Sequence, residues 1–190
     1  MYKRQVWDGS AGEVHPGYWL CSVIGAEVHG SELRPLYQQF FSVRAEDFVS
    51  QNDELLSAID QLRAQTRGPG IWARDRGGDR RKLLEPLLER RERFVIRSTG
   101  QRLVVDRQRH RVTIHHRSAR CRLRSQAKIS KIENGQEKMY PLRYGAESFR
   151  LPGREEPLLL VVVAGFGPEP LLLLTKLGGV QDSQSLWWIA

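Results

Sequence analysis

Residues 71–79 read Ile71-Trp72-Ala73-Arg74-Asp75-Arg76-Gly77-Gly78-Asp79, which is a short apolar run, a carboxylate, two glycines and a second acid. This pattern predicts a strand over residues 70–74 with Asp75 at its carboxyl end, where open α/β sheets place their chemistry. A carboxylate there is a candidate ligand for Mg²⁺ in phosphoryl transfer, because this hard cation prefers oxygen. The alternative is a structural role, in which Asp75 caps a turn and pairs with Arg74 or Arg76.

Upstream of this strand, the sequence predicts two strands and a helix. Residues 18–27 are typical of a buried strand, and residues 33–41 predict a second one. Ser50 and Asp53 resemble a capping box for a helix that we expect to end before Gly68. The apolar face of that helix consists of Leu55, Leu56, Ile59 and Leu62.

Downstream, a leucine-rich helix leads into another strand. Four leucines recur at helical spacing, and Asp79 is a candidate N-cap for them. Pro86 requires either a kink or a helix whose regular part begins near Glu85. Residues 94–97 then predict a strand. The four leucines are Leu83, Leu84, Leu87 and Leu88.

From Gln101 onward the pattern changes to that of a β-rich region. Apolar and polar residues alternate, and Asn134-Gly135 is typical of a hairpin turn. Residues 158–164 and 171–175 are apolar throughout, which predicts buried strands. We therefore expect an α/β fold in three parts. Residues 1–97 begin the core, residues 98–157 form a basic β-rich insertion, and residues 158–190 return to the core.

The positive charge of the chain is concentrated in the insertion. Residues 102–131 contain eight arginines and two lysines but a single acid, Asp106, whereas the net charge of the whole chain is +8. Such a local excess is the footprint expected for binding a nucleic-acid backbone. Arginine outnumbers lysine, and its planar fork suits phosphate oxygens. The alternative is a solvated strand surface with arginines that serve solubility.

Alternation along residues 107–111 and again along residues 120–124 would place each set of arginines on one side of a strand. Two such strands, if paired, would form a cationic plate that contacts phosphates of duplex DNA. The predicted contact residues are Arg107, Arg109, Arg111, Arg117, Arg120, Arg122 and Arg124.

Several other classes of protein lack support in the sequence. Cys21 and Cys121 give no disulfide framework, so we expect a cytoplasmic protein. The longest apolar run, residues 158–164, is too short to cross a membrane. His110, His115, His116 and Cys121 do not have the spacing of a zinc finger.

The order of these motifs resembles bacterial insertion-sequence DDE transposases, in the branch with a β-strand insertion. The residues that carry the resemblance are the segment 72–79 around Asp75, the leucine-rich helix, and Phe94-Val95-Ile96-Arg97. The resemblance implies an RNase H-like mixed sheet in which Asp75 ends a central strand, next to the strand at residues 18–26. Arg97 matches a recurring family position without an assigned role.

The resemblance also implies an activity. Such enzymes bind duplex DNA at transposon ends, in some cases as homodimers, within the bacterial cytoplasm and nucleoid. Three carboxylates hold two Mg²⁺ or Mn²⁺ ions, which activate water and then a 3′-hydroxyl for attack on phosphodiesters. Asp75 matches the second of these carboxylates, so it is the implied catalytic residue and metal ligand.

The sequence departs from the family at both ends, so we expect an incomplete catalytic domain. No segment after Asp75 has the form of the family's glutamate helix, although residues 186–190 look like its lead-in. Asp8 is the one early candidate for the first carboxylate, and its surroundings look like a turn. Residues 1–5, read back into codons, match a sequencing-library adapter, which suggests that the native frame extends upstream.

The sequence is therefore compatible with three functions. The first is a transposase fragment that is inactive alone, because a single carboxylate cannot hold two metal ions. The second is a non-catalytic DNA-binding remnant, and the third is another RNase H-like nuclease.

Overall fold

The computed structural model describes residues 4–8, 12–27, 32–66 and 70–177. These residues belong to two compact units, divided between residues 69 and 70. The chain is mixed α/β, with more residues in strands than in helices.

The first unit contains two antiparallel strand pairs and one helix. Strand β1 (Arg4–Asp8) pairs with β2 (Glu13–Gly17), and β3 (Trp19–Ala26) pairs with β4 (Leu33–Phe41). Helix α1 (Gln51–Gln65) follows and ends before Gly68, as the sequence predicts. The predicted strand at residues 33–41 is confirmed.

The capping box and the apolar face of α1 are also confirmed. The Ser50 hydroxyl accepts a hydrogen bond from the backbone N–H of Asp53 at 3.2 Å and donates one to the Asp53 carboxylate. This cap satisfies an N–H that would otherwise lack a partner in the first turn. The side chains buried along the helix are Leu55, Leu56, Ala58, Ile59 and Leu62.

Strand β3 forms where the sequence predicts a strand, but the prediction that it is buried is wrong. Its residues alternate between half-buried and exposed, and Leu20 and Ile24 are 47% and 62% exposed. The physical reason is that β3 belongs to a two-stranded ribbon. Within the described part of this unit, one face of the ribbon has no covering layer.

The second unit is organised around an eight-stranded sheet. Two helices, α2 (Arg81–Glu89) and α3 (Ile114–Ser118), lie between its strands in the sequence. The strand order is β5-β6-β12-β11-β10-β7-β8, and β9 also pairs with β10. The strands are β5 (Ile71–Arg74), β6 (Arg93–Arg97), β7 (Leu103–Val105), β8 (Arg111–Thr113), β9 (Ser125–Glu133), β10 (Gln136–Arg150), β11 (Pro157–Ala164) and β12 (Leu171–Thr175).

The core of this unit is formed by the uniformly apolar strands that the sequence identifies. Strands β11 and β12 pair antiparallel along residues 159–163 and 171–175, and most of their side chains are buried. Strand β12 also pairs with β6, where Phe94, Val95 and Ile96 are buried. The predicted buried strands are confirmed, because strands covered on both faces read as continuous apolar runs.

Strands β5 and β6 are parallel and are joined by α2. Ile71 to Arg74 lie opposite Arg93 to Ile96, and the four predicted leucines of α2 are buried. Pro86 lies inside α2, so the prediction of a regular helix starting near Glu85 is wrong. Asp79 is not the N-cap, which is Arg80 without a side-chain hydrogen bond. The burial of the leucines outweighs the hydrogen bond lost at proline and the missing cap.

Strand β5 lies at the edge of the sheet, which corrects the expected position of Asp75. Among the described residues, β5 pairs with β6 alone, and β3 pairs with β4 in a separate sheet. Within the described residues, the prediction that Asp75 ends a central strand is therefore wrong. The second edge of β5 has no partner strand within the described ranges.

The basic region is less regular than its alternating sequence suggests. The hairpin at Asn134 and Gly135 is confirmed, with φ angles of 51° and 76° that match a two-residue turn. Residues 106–110 form a turn rather than a strand, and residues 120–124 lie outside the strands. The prediction that the arginines lie on two paired strands is therefore wrong. Asp106 and α3 supply local hydrogen bonds that compete with strand pairing, so these segments form a turn and a helix instead.

Candidate metal and phosphate sites

Asp75 lies at the carboxyl end of β5, where a 3-10 helix (Arg76–Gly78) begins. Its carboxylate accepts a hydrogen bond from the backbone N–H of Gly77 at 3.1 Å, so it caps this turn. The side chain is exposed, and within the described ranges it forms no ion pair. The turn-capping alternative is confirmed, whereas the pairing with Arg74 or Arg76 is not. One carboxylate oxygen is thus committed to the turn.

The second glycine of the motif permits close packing under this turn. A Cβ atom added at Gly78 would lie 2.8 Å from the Cβ of Arg74 and 3.3 Å from a methyl group of Ile96. Any side chain there would push the turn away from β5 and β6. The glycine therefore holds Asp75 close to the ends of both parallel strands.

Asp79 has a structural position that the sequence did not indicate. Its carboxylate is buried and forms an ion pair with Arg102. It also accepts hydrogen bonds from the Ser98 hydroxyl at 2.7 Å and the Thr99 N–H at 3.0 Å. These contacts fasten the turn after Asp75 to the end of β6 and to the start of the basic region. The sequence shows Asp79 only as the second acid of residues 71–79, without a pattern that indicates its partners.

A cavity of about 430 Å³ lies at the carboxyl ends of β5 and β6. Arg76, which follows Asp75, and Arg97, at the end of β6, both line it. The opposite wall contains Tyr140 and Phe166, whose ring centroids are 5.9 Å apart. A hydrogen bond to Glu133 raises the pKa of Tyr140. Two cations therefore line a cavity at the carboxyl ends of the parallel strands, and one of them, Arg76, follows the candidate metal ligand in the sequence.

The described residues contain no group of three or more acidic, histidine or cysteine side chains that could hold a metal ion. Asp8 ends β1 in the first unit. The predicted lead-in to a glutamate helix, residues 186–190, lies outside the described residues. Asp75 would be one ligand of a Mg²⁺ or Mn²⁺ site, and the donors around it in the second unit do not complete the site.

A second and larger cavity, of about 720 Å³, is lined by arginines of the basic region. We refer to it as the arginine cavity. Five of the seven predicted phosphate-binding residues line it, namely Arg107, Arg117, Arg120, Arg122 and Arg124. The other lining residues are Ser125, Tyr144, Gly145, Ala146 and Glu147. The arginines thus converge on a concave site rather than on the predicted flat plate.

Arg109 and Arg111 do not line this cavity. Arg109 has a φ of 65° in the turn between β7 and β8, and Arg111 begins β8. The turn is held by Asp106, whose carboxylate accepts hydrogen bonds from the backbone N–H groups of Gln108 and His110, both at 2.9 Å. The bond from His110 is the main cause of a lowered pKa for Asp106.

Arg117 is the arginine of the cavity that has an acidic partner. Its Nε atom lies 2.6 Å from Oε2 of Glu147, and the two side chains are 21% and 22% exposed. Both of these atoms are buried, yet neither has a partner that meets the geometry of a hydrogen bond. The other four arginines form no ion pair within the described part of the chain. The cavity therefore has a surplus of positive charge, as a site for an anion would.

Gly145 brings strand β10 against the arginine-bearing segment. A Cβ atom at this position would lie 2.3 Å from the carbonyl oxygen of Arg122 and 3.1 Å from Sγ of Cys121. Burial, followed by the neighbouring Glu147, raises the pKa of the Cys121 thiol. Sequence reasoning missed both Gly145 and Glu147. They lie more than twenty residues from Arg122, and no local pattern connects them.

No protein-family model matches this chain, and a comparison with curated proteins finds no similar sequence. No helix in the described residues is long and apolar enough to cross a membrane.

Proposed function

We propose that this chain is part of the catalytic domain of a DDE transposase with an RNase H-like core. In this proposal, it binds duplex DNA at transposon ends in a bacterial cytoplasm. The observation that carries the proposal is the position of Asp75. It is an exposed carboxylate at the carboxyl end of a parallel β5-α2-β6 unit, and the next residue, Arg76, lines a cavity together with Arg97.

Asp75 would contribute one of three carboxylates that hold two Mg²⁺ or Mn²⁺ ions. The metals would activate a nucleophile and stabilise the leaving oxygen of a phosphodiester. Arg76 and Arg97 would neutralise charge on the DNA strand next to Asp75, since guanidinium groups pair well with phosphate oxygens. The free carboxylate oxygen of Asp75 supports this role, because the cap to Gly77 occupies the other one.

The open edge of β5 sets a further requirement. Because β5 pairs with β6 alone within the described residues, an RNase H-like sheet requires another strand against the second edge of β5. That strand would bring the first carboxylate close to Asp75, since the carboxyl ends of neighbouring parallel strands meet at one edge of a sheet. The proposal therefore predicts that a longer protein contains such a strand.

A non-catalytic DNA-binding role is the second candidate. It is favoured by the contrast between the two sites. The arginine cavity is complete within the second unit, whereas the described residues supply no metal-binding cluster. Both candidates predict DNA binding, and they differ in whether any longer form of the protein cleaves DNA.

The test compares this chain with a longer protein extended in frame at both ends. We expect no cleavage of transposon-end DNA by the 190-residue chain with Mg²⁺ or Mn²⁺. The extended protein should cleave, and Asp75→Asn should lower its rate by more than ~100-fold, because the loss of a metal-ligand carboxylate exceeds typical second-sphere effects. Asparagine retains the acceptor for the Gly77 N–H, so the turn is preserved.

Asp47→Asn is the matched control, because Asp47 is exposed in the first unit. Full activity of the extended Asp75→Asn protein would exclude the catalytic role of Asp75. Binding without cleavage by every extended form would favour the non-catalytic candidate.

A further inference from the structure

The positive charge of the arginine cavity is only partly neutralised by acidic side chains. Five arginines face one another across about 720 Å³, and Glu147 is the sole acid among the lining residues. Arg107, Arg120, Arg122 and Arg124 are exposed and form no ion pair within residues 70–177. Arg117 is the most buried of the five and is the one that Glu147 neutralises. Like charges gathered in one concave site repel one another until an anion enters.

The contact between Arg117 and Glu147 is close but poorly directed. The two atoms are 2.6 Å apart, yet both are buried without a hydrogen bond of acceptable geometry. A buried polar atom that lacks a well-directed partner retains much of its desolvation cost. An ion pair of this kind is therefore a weaker partner for Arg117 than a phosphate group that could accept bidentate hydrogen bonds.

We propose that Glu147 is an internal competitor for phosphate in the arginine cavity. In the unbound protein, its carboxylate forms an ion pair with the guanidinium of Arg117. A phosphodiester that enters the cavity displaces Glu147 and takes its place. This inference rests on the proposed function in one respect, namely that the physiological phosphate belongs to a nucleic-acid backbone. The shared chemistry is that of a phosphate oxyanion, and free phosphates could supply it as well.

The position of Glu147 supports this role over a purely structural one. It lies on β10, opposite Leu160 of β11, two residues from Gly145, where the backbone of β10 comes closest to Arg122. A structural ion pair would be expected to satisfy the buried atoms of both partners, which this pair does not do. An acid at the inner wall of a cationic cavity also limits binding of weaker anions, because each anion must first displace it.

The experiment measures binding of a fluorescein-labelled duplex of mixed sequence as a function of salt, with Glu147→Gln and Glu137→Gln variants of the full chain. Both substitutions remove one negative charge from β10, but Glu137 is exposed and does not line the cavity. If Glu147 competes with phosphate, Glu147→Gln should bind on the order of tenfold tighter at about 0.1 M salt than Glu137→Gln. Its salt slope should match that of Glu137→Gln, because the same phosphate contacts Arg117 in both bound states.

Equal affinity of the two variants for the duplex would overturn the inference and leave DNA binding itself intact. Failure of the unmodified chain to bind any duplex would contradict the DNA-binding part of the proposed function instead. In that case the same variants are titrated with inorganic pyrophosphate. Tighter binding by Glu147→Gln than by Glu137→Gln would support the competitor role, and equal binding would overturn it.

A second pair of variants, Glu147→Ala and Glu137→Ala, covers the case in which Glu147→Gln does not fold, as judged by circular dichroism. Glu147→Ala also removes the competitor and leaves Arg117 in the cavity. We expect Glu147→Ala to bind the duplex on the order of tenfold tighter than Glu137→Ala at about 0.1 M salt. Equal affinity of these two variants would overturn the inference.

Discussion

The turn at Asp75 and the arginine cavity lie in the same unit, but they hold their charged groups in opposite ways. In the turn, the acids are bound locally. Asp75 caps the backbone at Gly77, and Asp79 is buried against Arg102. In the cavity, four of five arginines have no acidic partner within the described residues. The charge of Asp79 is therefore committed to the fold, whereas most of the charge in the cavity is available to a ligand.

This difference separates the consequences of mutation. Loss of a committed charge should reduce the stability of the protein, because it leaves a buried partner without compensation. Loss of an uncommitted charge should reduce binding with little effect on stability, because it relieves repulsion between like charges. Each of the following predictions tests one side of this comparison.

The largest effect is expected at Asp79. Asp79→Ala should lower the free energy of unfolding by about 3–5 kcal/mol, because it leaves the largely buried guanidinium of Arg102 without a partner. Denaturant unfolding measures the loss. Glu89→Ala is the control, since Glu89 forms an exposed ion pair with Arg154 at 2.7 Å, and such pairs contribute about 0–1 kcal/mol. Equal losses in the two variants would contradict the comparison.

The next effect concerns DNA binding by the cavity. Replacing both Arg122 and Arg124 with alanine should weaken duplex binding by roughly 100-fold at about 0.1 M salt and flatten the salt slope by about 1.8. Stability should change by less than about 0.5 kcal/mol. The double variant of Arg109 and Arg111 removes the same charge outside the cavity and should have a smaller effect on both quantities. Equal effects from the two pairs would mean that the cavity has no special role.

A third prediction tests how tightly β10 approaches the arginine segment. Gly145→Ala should lower the free energy of unfolding by about 1–3 kcal/mol, because the added methyl group would overlap the carbonyl oxygen of Arg122. Gly167→Ala is the control, because a Cβ atom there meets nothing within 4 Å. Thermal unfolding of both variants, with duplex affinity measured alongside, would show whether the cavity depends on this contact. Unchanged stability in Gly145→Ala would contradict the close approach.

The smallest effect is expected at Asp106 and depends on pH. Because the pKa of Asp106 is lowered in the folded protein, its ionised form stabilises the fold above the ordinary value of about 3.9. That contribution is lost as the pH falls through the folded-state pKa. Asp106→Asn should therefore be less stable than the unmodified chain at pH 7, and the difference should shrink as the pH is lowered below the ordinary pKa of an aspartate. A difference that stays constant across this range would exclude ionisation as the cause.

The comparison also shows which parts of the molecule were predictable from sequence. The elements around Asp75 followed from local patterns, because the strand, the turn and the leucine-rich helix are adjacent in the chain. Strands β11 and β12 were equally clear from their continuous apolar runs. In both cases, the information that determines the structure lies within a window of a few residues.

The arginine cavity could not be predicted in the same way. The alternation of Arg120, Arg122 and Arg124 suggested a strand, but these residues lie outside the strands, and the backbone of Arg122 packs against Gly145 of β10. Period-two spacing indicates a strand when the alternate positions bury apolar groups, and here Cys121 and Leu123 are half-buried. The pairing of Arg117 with Glu147 depends on tertiary contact alone. The position of β5 at the edge also depends on strand order, which local patterns do not determine.

The free edge of β5 has a practical consequence for anyone who handles this chain. An unpaired strand edge exposes backbone donors and acceptors that can pair with the same edge of another molecule. Strand β5 contains four residues and ends at an exposed arginine, Arg74, and both features discourage such pairing. Self-association should therefore be weak at low salt and increase when salt screens the charge. The chain would then sediment as a monomer in dilute buffer and form larger species as the ionic strength rises.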